Sequence, residues 1–351
     1  MIDKISNRII APSITLLQAM KLMDSLNVKT LFVFEKEHFE GILTIGDIQR
    51  AIIKGAALSE PISQILDKHK IYASLNDSKD QIAEKMRMLR AEVMPIIDKE
   101  GNLKDVWFWS DLFSKTDMPF REPIDLPVVI MAGGKGTRLK PLTNVLPKPL
   151  IPVGDKTILE TIMDQFETIG CHKFYMSVNY KSDIMRFYLD QLEHSYDIDF
   201  FEETRPLGTI GSVSLLKSKI NTPFFVSNCD IIIEQDFRDV YDYHINNRNE
   251  LTIVTAVKSF RIPYGVIEAA EDGLLTGIKE KPETAYMINT GLYILNSDLI
   301  EEIPDDEFYH ITDLIDKIMK RGARVGSFPV SENALRDMGE WPEYLKMINV
   351  L

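Results

Sequence analysis

The sequence predicts an α/β protein with a repeated unit in its first third and a larger, mostly parallel sheet after it. Three observations support this prediction. Residues 19–47 align without a gap with residues 83–111, at an offset of 64 residues. A segment with prolines at positions 119, 123 and 127 follows the repeat. After that segment, short apolar runs alternate with amphipathic runs, as strands and helices do in a sheet covered on both faces.

These patterns divide the chain into domains. Each copy of the repeat predicts a helix, a strand, a turn, a second strand and a helix that opens at an aspartate. These are the last four elements of a βαββα-type unit, which packs on its twin. We predict a tandem module at 1–117, with copies at about 1–60 and 61–117. Because proline removes a backbone donor and disfavours helix before it, 118–127 is predicted to be a linker. The α/β domain then covers 128–351.

The second domain has the alternation of a Rossmann-like sheet. Strands are predicted at 128–132, 173–178, 198–202, 223–227, 251–257 and 287–295, and helices at 157–169, 182–194 and 236–246. In such sheets, ligands bind at the carboxyl ends of the strands, where the strand order reverses. The loops after the strands are therefore where functional residues are expected.

Composition excludes several classes of function. The formal net charge is −13, from 40 basic and 53 acidic side chains, and the isoelectric point is near 5.0. Because clustered Lys and Arg supply affinity for nucleic acids and anionic membranes, we expect neither as a partner. No apolar run approaches the ~18 residues of a membrane helix. With two cysteines and no signal-peptide pattern at the start, we expect a cytoplasmic protein.

A glycine-rich turn follows the first strand of the second domain. Three glycines in four positions allow backbone N–H groups to approach a phosphate closely, and a lysine and an arginine add positive charge. The spacing matches neither the P-loop nor the dinucleotide-binding template. The predicted nucleotide-binding residues of this turn are Ala132, Gly133, Gly134, Gly136 and Thr137, followed by Arg138.

The sequence after this turn strengthens the phosphate-binding prediction. The segment 132–160, which includes PLT and PKPLIPV, resembles the opening of the sugar-1-phosphate nucleotidyltransferases, also called nucleoside-diphosphate-sugar pyrophosphorylases. Further motifs of that family recur in order: RPLGTIG at 205–211, SNCD at 227–230, YGV at 264–266, EKP at 280–282 and NTGLY at 289–293. Ile210 replaces a small residue of the family pattern, and RDMG at 336–339 is a looser match.

The resemblance implies catalytic roles for Arg138, Lys148 and Asp230, and a metal-binding role for Asp230 and Asp337. In this family a sugar-1-phosphate attacks the α-phosphorus of a nucleoside triphosphate, a reaction that depends on positioning and charge stabilisation. Arg138 would stabilise the departing pyrophosphate, and Lys148 would hold the α-phosphate and the incoming sugar phosphate. Asp230 and Asp337 would hold Mg²⁺, which needs only one or two carboxylates besides phosphate and water. A simple capping role at the end of a strand remains the alternative for Asp230, and more strongly for Asp337.

The same resemblance implies residues around the base and the sugar. Leu207, Gly208 and Gly211 would face the base, although ordinary turn and packing functions explain them equally well. Lys281 would bind the sugar phosphate, and Glu280 would accept hydrogen bonds from sugar hydroxyls or from an amino group. The remaining predicted sugar-phosphate residues are Tyr264, Gly265, Asn289 and Thr290.

The repeated unit resembles a pair of CBS motifs, modules that often bind adenosine nucleotides between them. In that family a Ser or Thr three residues before the helix-opening aspartate contacts the nucleotide. Thr44 and Asp47 match this pattern, whereas Phe108 occupies the equivalent position of the second copy. At most one adenosine nucleotide site is therefore implied, and a folded pair without ligand is an equal alternative. Because such pairs often associate, we expect a homo-oligomer.

The substrates are predicted from the domain combination. CBS motifs joined to this catalytic domain most resemble the glucosamine-1-phosphate guanylyltransferases of bacterial legionaminic acid biosynthesis, which favours GTP and glucosamine-1-phosphate. Mannose-1-phosphate guanylyl transfer, or uridylyl or thymidylyl transfer, stays open. A non-catalytic nucleotide sensor is a further alternative, although a degenerate enzyme should have lost at least one of the charged motif residues. A glycosyltransferase is disfavoured because the D-x-D at 197–199 begins a strand.

Overall fold

The structure is a computed structural model that describes residues 4–113, 122–192, 195–339 and 341–348. The chain divides into two compact units, Met1–Arg121 and Glu122–Leu351. The end of the predicted tandem module and the start of the predicted linker, at 114–121, lie outside the described residues, as do the end of the predicted helix 182–194 and the last three residues of the chain. Within the described ranges, no helix has both the length and the apolar character needed to cross a bilayer.

The first unit contains the same five elements twice. They are β1 (Ile9–Ile10), α1 (Leu16–Leu26), β2 (Thr30–Glu35), β3 (His38–Thr44) and α2 (Ile45–Ile53), followed by β4 (Ala73–Ser74), α3 (Lys79–Leu89), β5 (Val93–Ile97), β6 (Leu103–Phe108) and α4 (Trp109–Leu112). In each copy the first strand pairs in parallel with the second, which pairs antiparallel with the third. An offset of 64 residues carries β1 onto β4.

The two copies share an apolar core. Phe32 and Ile42 of the first copy pack with Val93 and Val106 of the second, and all four side chains are buried. Neither copy could bury this surface alone, because each supplies only one side of the cluster. The repeat is therefore one folding unit made of two interdependent halves.

Helices α1, α2 and α3 of the first unit begin at hydroxyl side chains that cap them, whereas α4 begins after Phe108. The capping residues of α1, α2 and α3 are Thr15, Thr44 and Ser78. In α2 the Thr44 hydroxyl accepts the N–H of Asp47, and the Asp47 carboxylate accepts the N–H of Thr44, which is a capping box. The helix thus opens at Thr44, with Asp47 as its third residue, whereas the sequence predicted that it opens at Asp47.

The second unit carries the remaining strands and helices. The strands are β7 (Val128–Met131), β8 (Pro152–Val153), β9 (Lys156–Thr157), β10 (Lys173–Val178), β11 (Asp197–Glu202), β12 (Phe224–Asn228), β13 (Ile231–Ile233), β14 (Leu251–Arg261), β15 (Val266–Ala269), β16 (Leu275–Lys279), β17 (Glu283–Leu295), β18 (Val325–Ser331) and β19 (Leu335–Asp337). The helices are α5 (Leu142–Val145), α6 (Ile158–Glu167), α7 (Ser182–Asp190), α8 (Phe237–Asn246), α9 (Ile311–Lys320) and α10 (Trp341–Ile348).

Seven of these strands form one mostly parallel sheet, in the order β11-β10-β7-β12-β17-β14-β18. Only β17 runs antiparallel to its neighbours. The chain builds β10 and β11 on one side of β7 and then returns to place β12 on the other side. The strand order therefore reverses at β7, and the loops after β7 and β12 flank the point where ligands bind in such sheets. The predicted α/β fold class is confirmed.

Helices cover both faces of the sheet because the strand residues alternate between two apolar clusters. On one face, Phe225 of β12 packs against Phe166 of α6, with ring centroids 5.2 Å apart. On the other face, Val129 and Val226 pack with Leu314 of α9. Burial on both sides explains why these strands are almost uninterrupted apolar runs.

The predicted strands are present, but two of them are longer than the sequence pattern indicated. β14 extends to Arg261 and β17 begins at Glu283, and between them lies the two-stranded sheet of β15 and β16. We call this extension, residues 258–287, the ribbon. It was missed because its apolar side chains, such as Leu275 and Ile278, remain exposed and mark no buried face.

The C-terminal part of the predicted linker, residues 122–127, belongs to the second unit. The Ile124 N–H donates to the Ile169 carbonyl at 2.9 Å, and Pro123 lies where a side chain at Gly170 would be. Because Gly170 leaves this space open, the proline-containing segment packs on the second unit instead of remaining an unattached spacer.

Candidate active site

The turn after β7 places the predicted phosphate-binding glycines at the switch point of the sheet. Gly136 has a left-handed backbone, with φ of 60°. The Thr143 hydroxyl donates to the Gly136 carbonyl at 2.9 Å, and a Cβ on Gly136 would lie 2.8 Å from the Thr143 methyl carbon. At Gly134, in contrast, a Cβ would meet no atom within 4 Å. Gly136 is thus required by internal packing, whereas Gly134 exposes its backbone to open space.

The other residues of the turn are held by backbone contacts and by one buried side chain. Ala132 is buried, and its N–H donates to the Ser177 carbonyl at 3.0 Å. Thr137 and Arg138 are exposed and start a single turn of 3₁₀ helix, which Leu139 anchors with a fully buried side chain. Their contacts with a triphosphate stay predictions.

A buried ion pair joins the PKP segment to the loop after β12. Lys148 begins a 3₁₀ turn between two buried prolines. Its ammonium donates to Oδ2 of Asp230, and the two side chains are only 10% and 17% exposed. Because little water screens the charges, this pair is held more firmly than one on the surface. Two of the three predicted catalytic residues therefore meet, although 82 positions separate them.

The strand β19 brings Asp337 to the same place. β19 pairs antiparallel with β13, so that Asp337 lies opposite Ile231, and the Met338 N–H donates to the Asp230 carbonyl at 2.8 Å. A Cβ on Gly339 would lie 2.8 Å from Asp337 Oδ1, 3.4 Å from Asp230 Oδ2 and 3.5 Å from Lys148 Nζ. Two carboxylates and one ammonium therefore surround Gly339. The predicted site omitted this glycine, although it stands two residues after Asp337.

These carboxylates are a suitable donor set for Mg²⁺. No group of three or more His, Cys, Asp or Glu side chains able to hold a metal occurs among the described residues. Asp230 and Asp337 supply two carboxylates at one point, and Mg²⁺ commonly uses one or two together with substrate phosphates and water. The residues present therefore fit a metal that is completed by its substrate.

The loop after β12 also contacts the predicted sugar-site segment of β17. Gly291 has φ of 90°, and a Cβ there would overlap the side-chain amide of Asn228. The Asn289 side-chain amide donates to the Tyr293 hydroxyl at 2.6 Å. The Thr290 hydroxyl is buried and donates to the Val254 carbonyl at 2.8 Å. The strand thus approaches the cluster around Gly339 through Asn228, while Thr290 is used within the sheet.

A buried carboxylate that sequence reasoning missed lies below the glycine turn. Glu203 is 6% exposed and accepts hydrogen bonds from the Ser177 hydroxyl at 2.5 Å and from the Leu207 N–H at 3.2 Å. A Cβ on Gly133 would lie 3.1 Å from Glu203 Oε1. The available signal was the acidic pair 202–203 at the end of a strand, just before the RPLGTIG motif.

The RPLGTIG motif is built for a close backbone approach. A Cβ on Gly208 would lie 2.5 Å from the Tyr309 carbonyl oxygen, and one on Gly211 would lie 2.6 Å from the Glu307 carbonyl oxygen. Leu207 is buried, and its carbonyl accepts the Tyr309 N–H at 3.0 Å. The two glycines therefore have a packing function, and contact of this motif with a base stays a prediction.

The other predicted sugar-phosphate residues lie on the ribbon. Tyr264, Gly265, Glu280 and Lys281 are all exposed. Gly265 approaches Glu280, and the Lys281 ammonium is 3.9 Å from the Glu280 carboxylate. In the described part of the chain, no hydrogen bond or ion pair joins Glu280 or Lys281 to Lys148 or Asp230. These contacts thus join Gly265, Glu280 and Lys281 to one another and not to the pair of Lys148 and Asp230. We call Lys148, Asp230 and Asp337 the charged cluster.

In the first unit, the carboxylate of Asp47, one of the two predicted adenosine-site residues, is paired with side chains of the chain itself. The Asp47 carboxylate accepts hydrogen bonds from the Lys70 ammonium, from Arg50 at 2.6 Å and from the Thr44 hydroxyl at 2.7 Å. Burial alone would raise the pKa of Asp47, but the hydrogen bond and charge of Lys70, together with the hydrogen bonds from Thr44, lower the pKa below its ordinary value of 3.8. Asp47 is therefore an ionised carboxylate with its partners in place.

Two known protein families match separate parts of the chain, one in each unit. Residues 127–351 match the family model described as Nucleotidyl transferase. The chain belongs to the nucleotidyl transferase family. Residues 6–54, the first copy of the repeat, match the model of the CBS domain. The match to the nucleotidyl transferase model includes the glycine turn, Lys148, Asp230 and Asp337.

The curated relatives share about half of the chain. The mannose-1-phosphate guanyltransferase of Pichia angusta is 38% identical over 184 residues, which is 50% of this chain and 50% of that protein. The enzyme of the same name from Saccharomyces cerevisiae is 37% identical over 184 residues, 50% of this chain and 51% of that protein. This nucleotidyl transferase family member thus spans about half the length of the curated relatives it matches.

Solved structures share the nucleotidyl transferase unit. The crystal structure of HddC from Yersinia pseudotuberculosis has a TM-score of 0.50 and 28% identity, and it covers 64% of this chain and 99% of that chain. A crystal structure of HddC complexed with GMP-PN has a TM-score of 0.50 and 27% identity, with the same coverage.

Proposed function

We propose that this protein transfers a nucleotidyl group from a nucleoside triphosphate to a sugar-1-phosphate and releases pyrophosphate. The observation that carries the proposal is the convergence of Lys148, Asp230 and Asp337 around Gly339, at the point where the strand order reverses. Membership of the nucleotidyl transferase family supports the same reaction. A sugar-phosphate oxygen would form a bond to the α-phosphorus while the bond from that phosphorus to the bridging oxygen of the β-phosphate breaks.

The side chains of the site would act by position and charge. Backbone N–H groups of the glycine turn would bind the triphosphate, and Arg138 would stabilise the charge that grows on pyrophosphate. Lys148 would offset the negative charge of the α-phosphate and the sugar phosphate as they approach. Asp230 and Asp337 would hold Mg²⁺, which supplies additional neutralisation of phosphate charge when bound.

The buried carboxylate of Glu203 supports GTP as the nucleotide. An ionised carboxylate only accepts hydrogen bonds, and its two oxygens have lone pairs beyond those used by Ser177 and Leu207. Guanine presents two adjacent donors, its N1–H and its amino group. Uracil and thymine present one N–H between two carbonyl groups, and a carboxylate would repel the oxygens of those carbonyl groups. The GMP-PN complex of HddC is a further reason to favour a guanine nucleotide.

For the sugar, we propose glucosamine-1-phosphate, as in legionaminic acid biosynthesis, with mannose-1-phosphate as the second candidate. The first choice follows from the joining of CBS motifs to this catalytic domain and from the exposed carboxylate of Glu280, which would attract an amino group. The second follows from the names of the curated relatives, which are mannose-1-phosphate guanyltransferases and match about half of the chain.

The reaction and its substrates are tested by measuring pyrophosphate release from each nucleoside triphosphate with each sugar-1-phosphate. We expect turnover with GTP and with glucosamine-1-phosphate, and less with the other combinations. Turnover with UTP or dTTP but not with GTP would overturn the guanylyl assignment while leaving the transfer reaction in place. No turnover with any pair would favour the non-catalytic alternative, a nucleotide-sensing protein.

The role of the charged cluster is tested with Lys148→Ala and Asp230→Ala. Each variant should lower kcat by about 10²–10³-fold, the usual effect of removing a preorganised charge contact. Each also leaves a buried charge without its partner, which costs about 3–5 kcal/mol when burial is complete. The matched control is the neutral double variant Lys148→Met with Asp230→Asn. It should recover most of the lost stability and none of the activity, which separates catalysis from folding.

Base selection is tested with Glu203→Gln. A glutamine amide offers one donor and one acceptor, so the preference for GTP over UTP in kcat/KM should fall by about 10-fold or more. An unchanged ratio, in a variant with the thermal stability of the wild type, would show that Glu203 does not read the base.

We also propose that AMP or ATP binds to the first unit near Thr44 and Asp47 and alters activity or assembly. Binding would require a nucleotide to share or displace the contacts of Lys70 and Arg50 with Asp47. Calorimetric titration, with activity and mass measured at saturation, tests this. The same mass measurement tests the expected homo-oligomer. Neither heat of binding nor a change in rate or mass would reject regulation by these nucleotides.

A further inference from the structure

A short stretch, residues 140–147, joins the glycine turn to Lys148. It contains the short helix α5, of only four residues, and its exposed tip carries Val145, whose side chain is 70% exposed. The last carbonyl groups of any helix lack partners within the helix. In a helix this short, those carbonyls determine how firmly the whole segment is held.

Lys181 supplies the missing donors from the loop after the neighbouring strand β10. Its ammonium donates to the carbonyl oxygens of Asn144 at 2.6 Å, Val145 at 2.7 Å and Thr143 at 3.4 Å. The Tyr180 hydroxyl donates to the Thr143 carbonyl at 3.3 Å. A lysine at the carboxyl end of a helix is favoured by the helix dipole as well as by these hydrogen bonds.

The left-handed backbone conformation of Lys181 indicates that its side chain has a function. Its φ is 58°, a left-handed conformation that glycine adopts much more easily than lysine. It precedes α7 but gives that helix no side-chain cap. A strained residue that persists where glycine would be easier is a reason to look for a function of its side chain.

Thr143 connects Lys181 to both parts of the proposed site. Its carbonyl accepts from Lys181, and its side chain, 1% exposed, donates to the Gly136 carbonyl at 2.9 Å. A Cβ on Gly136 would lie 2.8 Å from the Thr143 methyl carbon and 3.1 Å from Lys148 Cβ. Gly136 therefore lies next to both Thr143 and the base of Lys148, so that a shift of Thr143 would act on the glycine turn directly and on Lys148 through Gly136.

We propose that Lys181 is a positioning residue for nucleotidyl transfer: it holds α5 through three carbonyl groups and thereby fixes the glycine turn relative to Lys148. The inference rests on the proposed function, because it assigns the fixed geometry to that reaction. Lys181 itself need not touch either substrate.

The test compares Lys181→Gly, Lys181→Arg and the control Arg248→Gly. Glycine suits the left-handed backbone and removes only the side chain, and arginine keeps donors within reach of the carbonyls. Arg248 is an exposed residue with φ of 52°, and its side chain has no hydrogen bond or ion pair among the described residues. It controls for replacement of a left-handed cationic residue by glycine.

Two measurements are made on each variant. In Lys181→Gly, kcat/KM should fall by about 10–10²-fold, the cost of a misplacement of about 1 Å, with a rise in KM for the nucleotide. Amide hydrogen exchange at Leu146, whose N–H donates to the Leu142 carbonyl at 3.0 Å, should accelerate. In Lys181→Arg, kcat/KM should remain within about threefold of the wild-type value. In Arg248→Gly, kcat/KM and the exchange rate should equal those of the wild type.

The outcomes separate this inference from the proposed function. Equal exchange and equal kcat/KM in Lys181→Gly and Arg248→Gly would overturn the positioning role. Faster exchange with unchanged kcat/KM would also overturn it, since the anchor would then be only structural. If the wild type catalyses no nucleotidyl transfer, the proposed function fails, and exchange still reports whether Lys181 holds α5.

Discussion

Three neighbouring glycines in one turn allow packing to be separated from ligand binding. We compare Gly134→Ala with Gly136→Ala. At Gly136 the added methyl would lie 2.8 Å from the Thr143 methyl carbon, and Thr143 cannot rotate away because its hydroxyl is bonded to the Gly136 carbonyl. At Gly134 the methyl would meet no atom within 4 Å.

The expected magnitudes follow from these contacts. Alanine in the left-handed conformation of Gly136 costs about 1–2 kcal/mol, and overpacking against Thr143 adds about 1–3 kcal/mol. For a unit of this size, the sum corresponds to a fall in Tm of about 4–20 °C. Gly134→Ala should leave the free energy of unfolding within about 0.5 kcal/mol of the wild type. Its kcat/KM should nevertheless fall about 10–10²-fold, because the methyl separates the turn from the triphosphate.

Circular dichroism during heating and pyrophosphate release together measure both effects. The informative result is a dissociation in which one variant loses stability and the other loses activity without unfolding. If Gly134→Ala proved as unstable as Gly136→Ala, the packing argument would be wrong. If Gly134→Ala retained wild-type kcat/KM, the turn could not be the triphosphate site.

Three further outcomes are expected. Burial lowers the pKa of His244 below 6.5, so the neutral form belongs to the folded state, and its stabilising effect is complete above pH 6.5 and is lost as the pH falls through the folded pKa. His244→Gln should therefore show less loss of stability on acidification in urea unfolding, and an unchanged pH slope would contradict this. Gly208→Ala should lower the free energy of unfolding by about 3 kcal/mol or more, because its Cβ would meet a backbone oxygen of Tyr309. Gly273 has a similar φ and no neighbour within 4 Å, so Gly273→Ala should lower it by only about 1–2 kcal/mol. Equal losses of stability would refute the contact. Lys70→Met should destabilise the first unit by about 1–3 kcal/mol at pH 7, and the difference should shrink below pH 3.8 as Asp47 becomes protonated, which acid titration of unfolding would detect.

Local patterns identified much of the candidate site. The glycine turn, Lys148 and Asp230 all carry a signal in a few consecutive residues: glycines after an apolar strand, a lysine between prolines, and an aspartate at the end of a strand. Gly339 and Glu203 carry only a weak signal, a place in the RDMG motif and in the acidic pair 202–203, and Lys181 carries none. Their importance lies in atoms that are distant in sequence, such as the contact of Lys181 with the end of α5 or of Glu203 with Gly133.

The ribbon shows a second limit of sequence patterns. Its strands were missed because Leu275 and Ile278 are exposed, and a strand without a buried face has no alternation to detect. The EKP and YGV motifs lie on the ribbon. Their placement on an exposed extension depends on how far β14 and β17 run beyond the sheet, which is a property of pairing between distant segments.

The amino-acid order alone determined which segments become buried strands and which short loops are candidates for phosphate binding, because burial and turn formation depend on neighbours along the chain. Only the tertiary structure decided which loops face one another. β7 pairs with β10 on one side and with β12 on the other, and this reversal brings Lys148 to Asp230 across 82 residues. The spacing of apolar side chains along the chain does not specify the order of the strands in a sheet. The charged cluster could therefore be recognised only from the tertiary structure.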